Sequence, residues 1–336
     1  MKKERNTTIE WLRLALMFFI VLHHVGVHGF LNNPNLTSGQ HTTALILSSF
    51  GKIAVALFVL ISGYFQAQKT TLNKKSLLAT WRVTLLYSIT IFIIFILLGK
   101  VNLTIHTFIK YCFPVASGVY WFVTAYILLL LVAPYLNRFF LQLNKKEATS
   151  FLIGASVVAF GINYLSFFDL SLSNLVYFFI FYLTGSYLRR FYHPKKKINA
   201  KLIILTMVTI LFYFLIIVIG EKTNHHIFSD VTKLISPFTI IIATLIFLIA
   251  LRINIPITPF INGLARCAFA VYLIHDNPLV RSYIYPRIFH AMTMRFSSPI
   301  TLIIVMVFDT ILIFMISLAI EWVRRLIMNH LKKDEH

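Results

Sequence analysis

Glu10, Arg13, His24 and His28 lie in one hydrophobic run, EWLRLALMFFIVLHHVGVH. Imidazoles exchange protons near neutral pH, and a guanidinium holds anions, so this run carries groups that could do acid–base and anion-binding chemistry. On an α-helix, at about 100° per residue, Arg13 and His24 fall within roughly 20° of each other, three turns apart. Glu10 and His28 flank them on the same face, whereas His23 points about 100° away from His24. The run is long enough to cross a bilayer, where a charge at the centre costs about 2.5–3.5 kcal/mol on the insertion scale. Such a stripe is expected to face other helices or a water-filled cavity rather than lipid.

The elements that must house the stripe are also hydrophobic. The chain has 336 residues, of which 58% are hydrophobic and 12% charged, and its mean hydropathy is +0.81. A soluble domain has about 25% charged residues, so the composition indicates an all-α, polytopic integral membrane protein. Hydrophobic segments fall at 9–29, 42–66, 77–98, 119–140, 149–165, 172–192, 200–220, 231–251, 259–280 and 300–323, which predicts about ten transmembrane helices. The first is full length and lacks a small-residue cleavage pattern after it, so it is expected to stay as a membrane helix. No soluble appended domain, internal repeat or low-complexity segment is evident, and 1–336 reads as a single transmembrane domain.

The net charge of +20 raises the question of a nucleic-acid partner. The placement of the charges answers it. Twenty of the 31 Lys and Arg fall at the N-terminus, in the gaps 67–76, 138–147 and 189–201, at Arg252 and in the C-terminal tail. The alternate gaps hold only Lys100, Lys110, Lys222, Arg281, Arg287 and Arg295. This is the positive-inside pattern, with both termini in the cytoplasm and no nucleic-acid partner. The same topology puts Cys112 and Cys267 towards opposite faces, so no disulfide is expected between them.

Other polar residues interrupt the spans. Lys52 sits ten residues into the second span, about 15 Å along its axis, and Asp309 is a similar intrusion in the last; the two could pair. Ser62-Gly63 would also suit close helix packing, and Tyr120-Trp121 an interfacial aromatic belt. His275-Asp276-Asn277 before Pro278 reads either as a polar helix end or as part of a site. Depth links some of them. His24 is about fifteen residues, roughly 22 Å, from the start of its helix, and His275 and Trp121 come out at nearly the same level. His24 and His28 have the i,i+4 spacing of metal ligands, with His23 and His275 as further candidates. No carboxylate or cysteine accompanies them in that helix at that depth, so no metal is expected.

In order, Glu10–Arg13–ten residues–His24, then AVALFVLISGYF, then YWFV, then AVYLIH, resemble the membrane acyltransferase 3 family. Its first-helix signature is an acidic residue, an arginine three on, then ten residues and a histidine. Its second-helix pattern matches Lys52, Val55, Leu57, Phe58, Ser62, Gly63 and Tyr64, with Val59 in place of a second Phe. Trp121-Phe122 and Tyr272 to His275 match later elements. The resemblance covers nearly the whole chain and is to the short form, without an esterase-like domain, associated with exopolysaccharide or cell-wall modification.

The resemblance implies transfer of an acyl group, commonly acetyl, from acyl-CoA (acetyl-CoA) as co-substrate to a carbohydrate hydroxyl. No permanently bound cofactor is implied. The implied setting is the bacterial plasma membrane, with polysaccharide-synthesis proteins as possible partners. In that frame His24 is the general base, or is itself acylated; the sequence leaves both open. Arg13 and Glu10 join His24 as catalytic residues, Arg13 holding the donor's anionic or carbonyl oxygen or orienting the helix-1 network through Glu10, and Arg13, Lys52, Ser62, Gly63 and Tyr64 fall to the donor side. Tyr120, Trp121 and His275 fall to the acceptor side. An exporter or flippase of a polysaccharide or lipid-linked sugar is the competing class. No repeated pair of broken helices supports it.

Overall fold

The computed structural model describes residues 6–162, 174–194, 199–223 and 230–334. Parts of the expected fifth, sixth and seventh loops, including the gap 166–171 and Lys195 to Lys197, lie outside the described residues, as do Lys2, Lys3 and Arg5. The described chain is all-helical. Its helices are α1 (Thr7–His28), α2 (Ser38–Gln66), α3 (Lys74–Leu97), α4 (Ile105–Cys112), α5 (Trp121–Gln142), α6 (Lys145–Ile162) and α7 (Asn174–Phe191). They continue as α8 (Ala200–Thr223), α9 (Pro237–Ala250), α10 (Pro259–Ala265), α11 (Ala268–His275), α12 (Pro278–Tyr283) and α13 (Pro299–Asp334). Among the described residues six helices are long and apolar enough to cross a membrane: α1, α2, α3, α5, α8 and α13. At 14 residues, α9 reaches about 21 Å, short of a hydrocarbon core of about 30 Å.

The ninth hydrophobic segment is not one helix. Pro259 and Pro278 each occupy the first turn of a new helix, where a missing N–H is harmless. Asn277, forced into an extended conformation before Pro278, ends the path of α11 and caps α12 through Leu279 N–H, at 3.0 Å. The hydrophobic stretch 259–280 is thus three short helices, and the break falls directly after His275 and Asp276.

The chain divides into two compact units. The first comprises Met1–Gly51, Trp81–Trp121 and Ile255–His336; the second comprises Lys52–Thr80 and Phe122–Asn254. In the first unit α1 packs against α10, α11 and α13. Asn6 caps α1, accepting from Ile9 N–H, and the Thr7 and Thr8 hydroxyls accept from the backbone of Thr258 and Ile255. Gly51 lets α2 come close to α1, because a Cβ there would stand 2.2 Å from that of His23. In the second unit α2 and α7 cross on a reciprocal glycine contact. A Cβ on Gly63 would lie 1.9 Å from the Tyr182 carbonyl oxygen, and one on Gly185 2.0 Å from that of Leu60. The small residue at Gly63 therefore serves helix packing. Both cysteines are free thiols.

Candidate active site

In the first unit, the C-terminal turns of α1 meet the α11–α12 break. His24 and His275, both buried, approach with Nδ1 of His24 2.8 Å from Nε2 of His275. Nδ1 of His275 lies 2.6 Å from the Val271 carbonyl oxygen. A carbonyl can only accept, so His275 Nδ1 carries a proton and donates it. In a neutral ring its Nε2 then accepts, which makes His24 Nδ1 the donor. A neutral His24 so oriented carries its lone pair on Nε2. The helix backbone thereby fixes the tautomer of two imidazoles in series.

Asp276 completes the cluster. Its Oδ1 lies 3.6 Å from His24 Nδ1, 3.8 Å from His28 Nε2 and 3.2 Å from Arg281 Nη1. The carboxylate is buried, whereas His28 and Arg281 are about a third exposed at their side chains. Arg281 Nη1 also stands 3.5 Å from His28 Nε2. The Tyr285 ring lies 6.0 Å from that of His28. Burial pushes the Tyr285 phenol well above its ordinary pKa, with Asp276 adding to the shift and Arg281 opposing it. The ligand atoms of His24, His28 and Asp276 all lie within 4.8 Å of one another, so the group could hold a metal ion. The carboxylate missing from α1 is supplied by the α11–α12 break.

Tyr120, fully buried, pins this corner. Its hydroxyl donates to the Leu273 carbonyl at 2.9 Å and accepts from Asn277 Nδ2 at 2.8 Å. Trp121 follows it, half-buried, as the first residue of α5. His23 is turned elsewhere and donates from Nδ1 to the Ser48 carbonyl at 2.7 Å. Towards the start of α1, about 16 Å below His24, Arg13 Nη1 donates to buried Glu10 Oε1 at 3.0 Å.

A family model described as an acyltransferase domain, Acyl_transf_3, matches residues 6–322. The chain belongs to the acyltransferase 3 family. No curated protein and no solved structure matches it. Family and helices together make it a membrane protein with the general activity of an acyltransferase.

The acyltransferase's other sequence-predicted residues lie in the second unit. Lys52 is half-buried in α2. Ser62 Oγ lies 3.1 Å from the Tyr126 hydroxyl and donates to the Phe58 carbonyl, also at 3.1 Å. The Tyr64 ring packs on Phe247 and carries the Arg189 guanidinium over its face, 5.3 Å from the centroid. In the first unit, Asp276 and Arg281 were missed as site members by sequence reasoning. Asp276 carries two readings in the sequence, a polar helix end or part of a site, and Arg281 counts there only as a loop cation. The Asn277-Pro278 pair was the signal that the chain breaks there and turns both towards His24.

Proposed function

We propose that this acyltransferase moves an acyl group, acetyl in the first instance, from cytoplasmic acyl-CoA to a hydroxyl of a cell-surface or exopolysaccharide sugar. The reading includes ten spans, both termini in the cytoplasm, one transmembrane domain over 1–336 and residence in a bacterial plasma membrane. The observation that supports it is the chain Val271 carbonyl–His275–His24, which presents a basic Nε2 on His24. His24 takes the acceptor hydroxyl's proton as that oxygen attacks the thioester carbonyl. The carbon–oxygen bond forms, the carbon–sulfur bond breaks, and the departing CoA thiolate recovers the proton. The products are a sugar ester and CoA. Asp276 lies where it stabilises the transient imidazolium of His24, at 3.6 Å.

His275 orients His24 and, with Tyr120 and Trp121, lines the acceptor side. Arg13, held by Glu10, receives anionic oxygens of the donor, a task suited to a guanidinium. Lys52, Ser62, Gly63 and Tyr64, all in the second unit, are assigned to donor binding in this reading.

The test uses purified protein in lipid nanodiscs with labelled acetyl-CoA. Release of CoA that depends on an added glycan acceptor is expected. Mass spectrometry of surface glycans from cells with and without the gene names the acceptor. His24→Ala is expected to reduce transfer 10²–10⁴-fold while leaving the protein in the membrane at its normal level. Full glycan acylation by that variant would overturn the role given to His24.

A further inference from the structure

We propose that His24 Nδ1, His28 Nε2 and Asp276 Oδ1 form a three-ligand site for a divalent cation of the zinc type, with a fourth position open. Its occupancy excludes the His24–His275 hydrogen bond. Two imidazoles and one carboxylate are a borderline-soft donor set that suits Zn2+ better than Mg2+ or Ca2+. Zinc–nitrogen bonds of about 2.0–2.1 Å put the ligand atoms of a tetrahedral site about 3.3 Å apart. The distances here are 3.6 Å from His24 to Asp276 and 3.8 Å from His28 to Asp276. Shifts of a few tenths of an ångström would bring these pairs to that spacing.

The surroundings support the same reading. His275 stands beside the site: its Nδ1 donates to the Val271 carbonyl, and its Nε2 accepts the His24 hydrogen bond that a metal on Nδ1 would replace. The His24 and His28 ring centroids stand 5.4 Å apart on successive turns of α1. His28, about a third exposed, opens a route from solvent.

One group opposes the cation. The Arg281 guanidinium sits 3.2 Å from Asp276 Oδ1 and 3.5 Å from His28 Nε2, two of the proposed ligand atoms. Zn2+ and Arg281 therefore compete, and the arginine, about a third exposed, swings out when the metal enters. A metal on His24 Nδ1 takes the lone pair there, so the ring's one proton moves from Nδ1, where it was shared with His275, to Nε2. Nε2 is then no longer basic. Bound zinc would thus switch transfer off. That consequence rests on the proposed function, whereas the binding does not.

The full chain in nanodiscs, stripped with a chelator, is dialysed against Zn2+ and its metal content measured. About one Zn2+ per chain is expected, with visible absorption bands of tetrahedral geometry when Co2+ replaces it. His28→Ala is expected to weaken binding at least tenfold. Arg281→Gln is expected to tighten it, a gain that a misfolded site would not show. Absence of zinc from the wild-type protein overturns the site. So does binding that is unchanged in His28→Ala and Asp276→Asn, because the metal would then sit on other histidines. Activity is read as the ratio with and without Zn2+, and zinc-insensitive transfer by zinc-loaded protein overturns the switch. If the wild-type chain transfers no acyl group, the proposed function fails while the metal measurement still decides the site.

Discussion

Two buried carboxylates in the first unit are held in opposite ways. Glu321, on α13, accepts from the Tyr87 hydroxyl at 2.6 Å and from Arg324 at 2.6 and 2.7 Å, and Arg325 adds another contact at 2.6 Å. Both of its oxygens carry short, charge-assisted bonds, the strong kind. Arg325 then reaches on to the Arg266 carbonyl after α10, tying two elements together. Asp276 is as deeply buried, and its contacts to His24, His28 and Arg281 are longer, from 3.2 to 3.8 Å. Short, saturated bonds fix a fold. Longer contacts to groups that gain and lose protons leave room for a charge to appear and disappear. The comparison marks Glu321 as architecture and Asp276 as chemistry.

The same isosteric change should therefore give opposite readouts. Glu321→Gln leaves two arginines facing a neutral amide and is expected to cost about 3 kcal/mol, at the lower end for breaking a buried pair, since the arginines are partly exposed. Thermal unfolding in detergent would show a midpoint lower by several degrees, and any protein still folded would transfer acyl groups at near the normal rate. A stable but inactive Glu321→Gln would erase the distinction.

Asp276→Asn is the smaller change. It is expected to leave the unfolding midpoint nearly in place, because Arg281 is about a third exposed and is re-solvated cheaply. Turnover should fall about tenfold, or about 1.4 kcal/mol, from weaker stabilisation of the imidazolium. Measured kcat should carry the loss, with KM for the acceptor little altered. A variant that unfolds early at full turnover would place Asp276 beside Glu321 as architecture.

The sequence carried the α1 stripe well and the corner opposite it poorly. Predicted limits of 9–29 for the first span compare with Thr7–His28 for α1, because hydropathy and the Asn6 cap act within a few residues. Span limits, the charge pattern and helical rise together put His24 and His275 at one level, and their nitrogens, 251 residues apart in sequence, meet at 2.8 Å. Hydropathy could not see that 259–280 breaks twice, at Arg266–Cys267 and at Asp276–Asn277, since it averages over both. Asp276 and Arg281 reach His24 and His28 through the direction the chain takes after that break. That direction is set by tertiary bonds, Tyr120 to Leu273 and Asn277 above all, and no local pattern encodes it. Ser62-Gly63 had two readings, and the α2–α7 crossing accounts for Gly63 by packing.

Tyr120 offers the finest test of the comparison, because it touches neither carboxylate and acts on one of them. Its hydroxyl bridges the last turn of α11 and the cap of α12, so it sets the angle at which His275 and Asp276 are presented. Tyr120→Phe keeps the ring, which lies 6.0 Å from Tyr272, and removes both hydrogen bonds. A buried carbonyl and an amide lose a partner, at a cost of about 1 kcal/mol in stability. If the corner is architecture alone, that loss appears in the unfolding midpoint and turnover stays put. If the corner aims His275 at His24, turnover falls about threefold as well, a loss of about 0.6 kcal/mol, because a tautomer relay depends on angle as much as distance. The split between the two readouts measures how much of the Tyr120 bridge is spent on holding the chain and how much on orienting the base.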